Sequence, residues 1–258
     1  MGVLDQFRLD GKVALVTGGA GLFGRQIVRA LAEAGAKVFT ASRDVGRLKD
    51  QAKELAANGL NVGALTLDQG SEQSIHEALN EIVSRAGQID ILVNNAVLRT
   101  MRNWSSPLED FSRSMAVNAT GLFSITRFFG DYMAAHEGGS IINIGSIQGS
   151  VGPDFTLYEG LNMDAPPDYF FHKGGMLQLT RYAAAKLGPK GVRVNAISPG
   201  GFLAGQPKEF IERYSARTFL GRMAGETDLA GVVVFLASDA SAYITGANIP
   251  VDGGYTAK

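Results

Sequence analysis

The sequence predicts an α/β protein of three layers, with helices on both faces of a doubly wound parallel sheet. Three observations carry that expectation. Short β-branched runs alternate with longer stretches of helical periodicity, the pattern of repeated βαβ units around a buried sheet. The first run passes directly into a glycine-rich turn and then a helix. No linker, repeat or low-complexity tract interrupts the alternation, so residues 1–258 read as one domain. In chain order the strands are Val13–Thr17, Val38–Ala41, Val62–Leu67, Ile89–Asn94, Ser140–Ile144, Val192–Ile197 and Ala247–Val251. Helices are expected near 22–35, 44–58, 71–86, 107–136 with a break, 168–188, 207–217 and 226–238. One stretch does not fit. Residues 148–168 are rich in Gly, Pro and Asp and too long for an ordinary connection, and loops of that length are often functional.

Composition narrows the function. Apolar residues make up 45% of the chain and charged residues 19%, enough for a large core. A net charge of −1 without a Lys/Arg run offers no field for nucleic acid or anionic lipid, so neither is an expected partner. The absence of cysteine excludes disulfides, thiolate metal sites and a thiol nucleophile. His76, His136 and His172 share no ligand spacing, and no metal site is expected. The acidic start and the lack of an apolar run of about 18 residues suit a cytoplasmic protein.

The turn after the first strand reads Thr17-Gly18-Gly19-Ala20-Gly21-Leu22-Phe23-Gly24. Glycines there let the backbone approach a pyrophosphate, whose charge is met by free N–H groups at the helix N-terminus. Gly18, Gly21, Leu22 and Phe23 are the expected cradle, and Gly24 allows close helix-to-sheet packing. The structural alternative is a tight βα turn without a ligand. At the end of the second strand the chain reads Ser42-Arg43-Asp44. Ser42 stands where an acid would bind ribose hydroxyls, and Arg43 follows, which favours NADP(H) over NAD. Asp44 is free to partner the ribose or to cap the next helix. Asp68, ending the third strand, is placed near the adenine or starts a turn.

Tyr169 and Lys173 are four apart at the start of a helix and therefore share a face. A tyrosine serving as proton carrier at neutral pH must be acidified from its ordinary pKa near 10, and a cation about 4 Å away supplies roughly three units of that shift. Ser146 follows the fifth strand at the carboxyl edge, where doubly wound sheets bind ligands, and its hydroxyl can donate to a substrate oxygen. Asn118 interrupts a helical stretch in which asparagine is a poor helix former, so it either bends the helix or bonds backbone or water.

Taken together, TGGAGLFG at 17–24, NNA at 94–96, VNATG at 117–121, INIGS at 142–146, YFFHK at 169–173, VRVNAISPG at 192–200 and the tail 221–254 resemble the short-chain dehydrogenase/reductase family, in its single-domain branch. The resemblance runs from Leu9 to Thr256 and implies a Rossmann-like sheet of order 3-2-1-4-5-6-7. It implies a tetrad in which Tyr169 is the acid/base, Ser146 positions substrate, Lys173 binds the ribose and acidifies the phenol, and Asn118 holds a relay water. Asn95, Ala96, Pro199, Gly200 and Phe202 are the further expected cofactor contacts, and a homodimer or homotetramer the expected assembly.

Four departures qualify that pattern. Leu22 stands where the branch has Gly, with a Gly21 spacing closer to the family's sugar-nucleotide branch; Val97 replaces a Gly after NNA; and Pro199-Gly200 continues Gly201-Phe202-Leu203 where a Thr is usual. Tyr169 stands 23 positions beyond Ser146, an insertion of about ten residues. In this, and in PGGFLAGQP at 199–207, the chain is similar to members that handle sugar acids, polyols or nonulosonate precursors. Tyr158, Glu159 and Gln206 are accordingly the expected contacts to a small hydroxylated substrate. The competing expectations are reduction of a carrier-bound or apolar ketone, and a non-catalytic NADP-binding regulator.

Overall fold

The computed structural model describes residues 2–257. Seven strands, β1 (Val13–Thr17), β2 (Lys37–Ser42), β3 (Val62–Thr66), β4 (Ile91–Asn94), β5 (Gly139–Ile144), β6 (Val192–Pro199) and β7 (Asn248–Val251), form one sheet in the order β3-β2-β1-β4-β5-β6-β7. Every neighbouring pair is parallel. Eight helices connect them: α1 (Leu22–Glu33), α2 (Gly46–Ala57), α3 (Glu72–Ala86), α4 (Leu108–Met115), α5 (Leu122–Ala134), α6 (Pro167–Leu187), α7 (Lys208–Ser215) and α8 (Ala230–Ala237).

Alternation along each strand divides the apolar residues between two cores. Val13 and Leu15 join Phe39, Leu92, Ile141 and Val194 beneath α3, α5 and α6. Ala14 and Val16 face the other way and join Val38, Ile91, Val93, Ile142 and Ile144 beneath α1 and α8. Both faces of the central strands are thus dry, which explains why they read as continuous apolar runs. Cutting Ile141, fully buried, back to alanine leaves a cavity and costs about 2–5 kcal/mol.

Most boundaries fall within two residues of expectation. The expected break in the fourth helix proves to be a wide turn. Residues Ala116–Gly121 wind as a π-helix between α4 and α5, so the chain stays helical from one to the next, and Asn118 sits inside that turn. Such turns interrupt the regular i→i−4 ladder and recur at functional sites. Before α6, the expected irregular stretch 148–168 holds only short 3-10 turns, at Ile147–Gly149 and Phe155–Leu157. Helix α6 then begins on Pro167, whose missing N–H costs nothing at a first helical position.

Candidate active site

Strand order reverses direction beside β1, and the carboxyl ends of β1, β4, β5 and β6 open there onto a cleft of about 740 Å³. That is the switch point at which open α/β sheets hold ligands, and the volume suits a small-molecule site. Gly18, Gly21, Leu22, Phe23, Ser42, Arg43, Asp68, Asn95, Ala96, Ser146, Tyr158, Tyr169, Lys173, Pro199, Gly200, Phe202 and Gln206 all line it. The structure therefore brings together nearly every residue singled out from the sequence. The exceptions are Gly24 and Asn118, which act from behind the wall, and Glu159.

The glycine turn is built before any ligand arrives. Asn95 donates its amide to the carbonyls of Thr17 and Gly18, both at 2.9 Å, while Thr17 Oγ1 accepts from the N–H groups of Asn95 and Ala96, both at 3.0 Å. Gly24 is required by contact: a Cβ there would lie 2.3 Å from the Gly18 carbonyl. Helix α1 starts at Leu22 with no side-chain cap, so its first N–H groups point unshared toward the turn. A charged pyrophosphate fits this cradle, which combines free donors with the positive end of the helix dipole.

At the adenosine end of the cleft, Ser42 donates to the Asp44 carbonyl and Asp44 accepts from the N–H of Gly46. That bond closes the turn into α2, whose N-cap residue is Val45 rather than Asp44. The cations here are Arg43, in the loop after β2, and Arg47, in the first turn of α2, and both line the cleft. Arg47 escaped the sequence reading, although its position four after Arg43 was the signal. Asp68 accepts from the Gly70 N–H, which fixes its turn, and also lines the cleft.

At the other end, Ser146 Oγ accepts from the Gln148 N–H at 3.1 Å. Accepting that bond turns the lone pair inward and leaves the hydroxyl proton free to donate. Lys173 is buried, with its Nζ 2.5 Å from the Ile144 carbonyl and 5.5 Å from the centroid of the Tyr169 ring. Burial first, and the charge of Arg99 second, pushes its pKa down to about 7. Gly149 lets the turn after Ser146 lie against the backbone of α6, since a Cβ there would lie 2.7 Å from the Lys173 carbonyl. Asn118 is committed to the chain around it: Nδ2 donates to the Leu98 carbonyl at 2.7 Å and to Ser114 Oγ at 3.0 Å, and Oδ1 accepts from the Leu98 N–H at 2.9 Å. Both amide protons are used, so a relay water would rest on backbone of the π-turn rather than on this side chain's donors.

The insertion is tied down rather than loose. Arg217 contacts Asp154 and Thr156, and Arg213 donates to the Glu159 and Leu157 carbonyls at 2.7 and 3.3 Å. Thr156 first, and then Arg217, hold the Asp154 carboxyl below the usual range. Beneath lie Leu157, Phe210, Tyr214 and Met223, with Tyr158, Met163 and Tyr255 packed against them. Tyr158 presents its ring to the cleft, and burial raises its phenol pKa. Glu159 instead offers its carbonyl to Arg213, and its exposed side chain is not part of the cleft wall. Gln206 lines the cleft, yet its amide accepts from the Ala204 N–H and donates to the Phe202 carbonyl, bracing its own loop. Phe202 meets Phe23 edge to face at 5.1 Å, closing the cleft above the glycine turn.

Residues 20–256 match the family model described as enoyl-(acyl carrier protein) reductase. The chain is 34% identical over 261 residues to galactitol 2-dehydrogenase (L-tagatose-forming) of Cereibacter sphaeroides, covering 97% of each protein. It is 34% identical to a 3-oxoacyl-(acyl-carrier-protein) reductase of Aquifex aeolicus, over 96% of this chain and 99% of the relative. The chain belongs to the short-chain dehydrogenase/reductase family. A solved member, gluconate 5-dehydrogenase of Burkholderia cenocepacia in complex with NADP and tartrate, superposes with a TM-score of 0.91 at 30% identity over the whole of both chains. As a short-chain dehydrogenase/reductase, the protein is an oxidoreductase acting on CH–OH groups with a nicotinamide dinucleotide. Among the described residues no helix is long and apolar enough to cross a membrane. No cluster of potential metal ligands occurs among them either.

Proposed function

We propose that this chain is an NADP(H)-preferring dehydrogenase or reductase of a small hydroxylated compound, a polyol or sugar acid, with Asn118, Ser146, Tyr169 and Lys173 as its catalytic group. The observation that carries the reading is the convergence of Ser146, Tyr169 and Lys173 on one cleft whose outer wall, from the insertion, adds Gln148, Tyr158 and Asp164. Glycine turn, helix α1 and Arg43 with Arg47 hold the dinucleotide, and the arginine pair accounts for the preference for a 2′-phosphate. A nicotinamide held there would supply the hydride acceptor for alcohol oxidation, or the hydride donor for ketone reduction.

The side chains handle the proton and the geometry. Ser146 donates its free proton to the substrate oxygen and fixes its position. Tyr169 takes the hydroxyl proton as the alcohol is oxidised and gives it back in reduction, so each turnover moves one hydride and one proton in the same overall step. Lys173 would hold the ribose, and it sets a positive charge 5.5 Å from the centroid of the Tyr169 ring. Tyr158 contacts the hydroxylated tail; Gln206 and Glu159 act on it only through the loops they brace. One domain carries both tasks, and we propose a cytoplasmic homodimer or homotetramer, in keeping with exposed apolar side chains such as Phe123, Phe171 and Tyr182 on neighbouring helices.

The test is a panel of alditols, aldonic acids, ketoses and keto acids, each with NADP(H) and NAD(H), followed at the absorbance of the reduced ring. Turnover on at least one class, faster with NADP(H), is expected. If only acyl-carrier thioesters react, the substrate class is that of the Aquifex relative instead.

A further inference from the structure

Arg99 lines the cleft beside the Tyr169 ring. It follows β4 by five residues, in the loop whose preceding residue, Leu98, is held at both its N–H and its carbonyl by the Asn118 amide. So braced, the Arg99 side chain turns into the cleft, and its guanidinium lies 5.0 Å from the centroid of the Tyr169 ring. The Lys173 ammonium lies 5.5 Å from the same centroid. Two cations thus converge on the reactive phenol, and among the described residues neither forms an ion pair. Their mutual repulsion is felt: Arg99 is one cause of the depressed proton affinity of both Lys173 and His172.

The two carboxylates that line the same side of the cleft, Asp154 and Asp164, form no ion pair with Arg99. Asp154 is held by Arg217 and Thr156. Asp164 accepts from the N–H of Ala165 beside it. The dinucleotide's own anionic groups belong at the glycine turn and at Arg43 and Arg47, away from the ring that carries the hydride. Arg99 is exposed to the cleft and, among the described residues, free of an ion pair, so an anion carried by the substrate can reach it. A planar guanidinium matches a carboxylate with two parallel hydrogen bonds, and its contact with the Tyr169 ring face holds that fork in place.

We propose that Arg99 is the receptor for a carboxylate of the substrate, which makes the preferred compound a hydroxy acid or its keto acid rather than a neutral polyol. This rests on the functional reading above and deepens it. The carboxylate lies on Arg99, the reacting carbon between Ser146 and Tyr169, and the remaining hydroxyls toward Tyr158 and Gln148. Placing an anion there also offsets the repulsion between the two cations, so substrate and site charge are complementary only for an acid.

The readout is the ratio of kcat/KM for an aldonic acid to that for the alditol of equal chain length, with NADP. In the wild type the ratio favours the acid. In Arg99→Met, which keeps the stem and removes the charge, the ratio falls about 100-fold, through KM of the acid; Arg99→Lys keeps the charge without the fork and recovers part of it. Quenching of protein fluorescence by NADPH verifies that each variant folds. If alditols do not react, the inhibition constant of malonate replaces the ratio and weakens by a similar factor in Arg99→Met. An unchanged ratio, or unchanged malonate inhibition, overturns the assignment of Arg99 while leaving the dehydrogenase reading intact. A wild type inert toward every hydroxylated compound overturns that reading instead.

Discussion

The two ends of the cleft are built by different means. At the cofactor end, main-chain groups do most of the work: the unshared N–H groups of α1, the turn of Gly18–Gly24, and a four-bond tie among Thr17, Gly18, Asn95 and Ala96. At the substrate end, side chains far apart in sequence hold irregular backbone, as Arg213 and Arg217 do for residues 154–159. The first kind of site follows from the alternation of strand and helix. The second depends on individual pairings that no periodicity announces.

Substitutions at the two ends should separate accordingly. The largest effect belongs to the point where they meet: Tyr169→Phe is expected to lower kcat about 10³- to 10⁴-fold while leaving NADPH binding within about twofold, measured by steady-state kinetics and fluorescence titration. Survival of full activity would remove hydride transfer from the account. At the cofactor end, replacing Arg43 and Arg47 together by serine should reduce the NADP-over-NAD preference by about 100-fold, through the Kd for NADPH and without a change in substrate KM. At the substrate end the expectation reverses. Arg217→Ala frees the Asp154 corner and should raise substrate KM about tenfold with the Kd for NADPH unchanged, at a stability cost of about 1 kcal/mol because the pair is partly exposed. Equal changes in both constants would mean that the two ends are mechanically one.

An effect on stability rather than turnover concerns His172, buried with neither ring nitrogen bonded, and held at a pKa of about 3 by burial and the neighbouring cations. Its ordinary value is 6.5, so between 6.5 and 3 the unfolded chain binds more protons and the folded state loses stability as pH falls. Relative to His172→Gln, the wild type should lose about 2 kcal/mol between pH 7 and pH 4.5 in urea unfolding. Parallel curves would place the ring in contact with water.

The contrast also decides what could be read from residues alone. The strand runs were legible because a parallel sheet buried on both faces imposes long apolar stretches, and the sheet order followed from family resemblance. Ser146, Tyr169 and Lys173 were legible because helix spacing and a strand end place them at one edge. Arg99 was not, since a lone arginine in a loop gives no sign that it will lie on a tyrosine ring. Nor did Gln206 reveal that its amide would turn back on its own loop, because the choice between loop and ligand rests on a local bend around Ala204. Asn118 was noticed as a poor helix former, but its two-point hold on Leu98 depends on the extra residue in the π-turn, which no helical periodicity records.

The tie among Thr17, Gly18, Asn95 and Ala96 has a thermodynamic consequence. With those four bonds in place, the loop proposed to meet the pyrophosphate has already surrendered its backbone entropy during folding, so docking of the dinucleotide there would exact little further ordering. Removing the Asn95 amide would return that entropy to the empty protein, and the deficit would surface as a weaker grip on NADP and NAD alike.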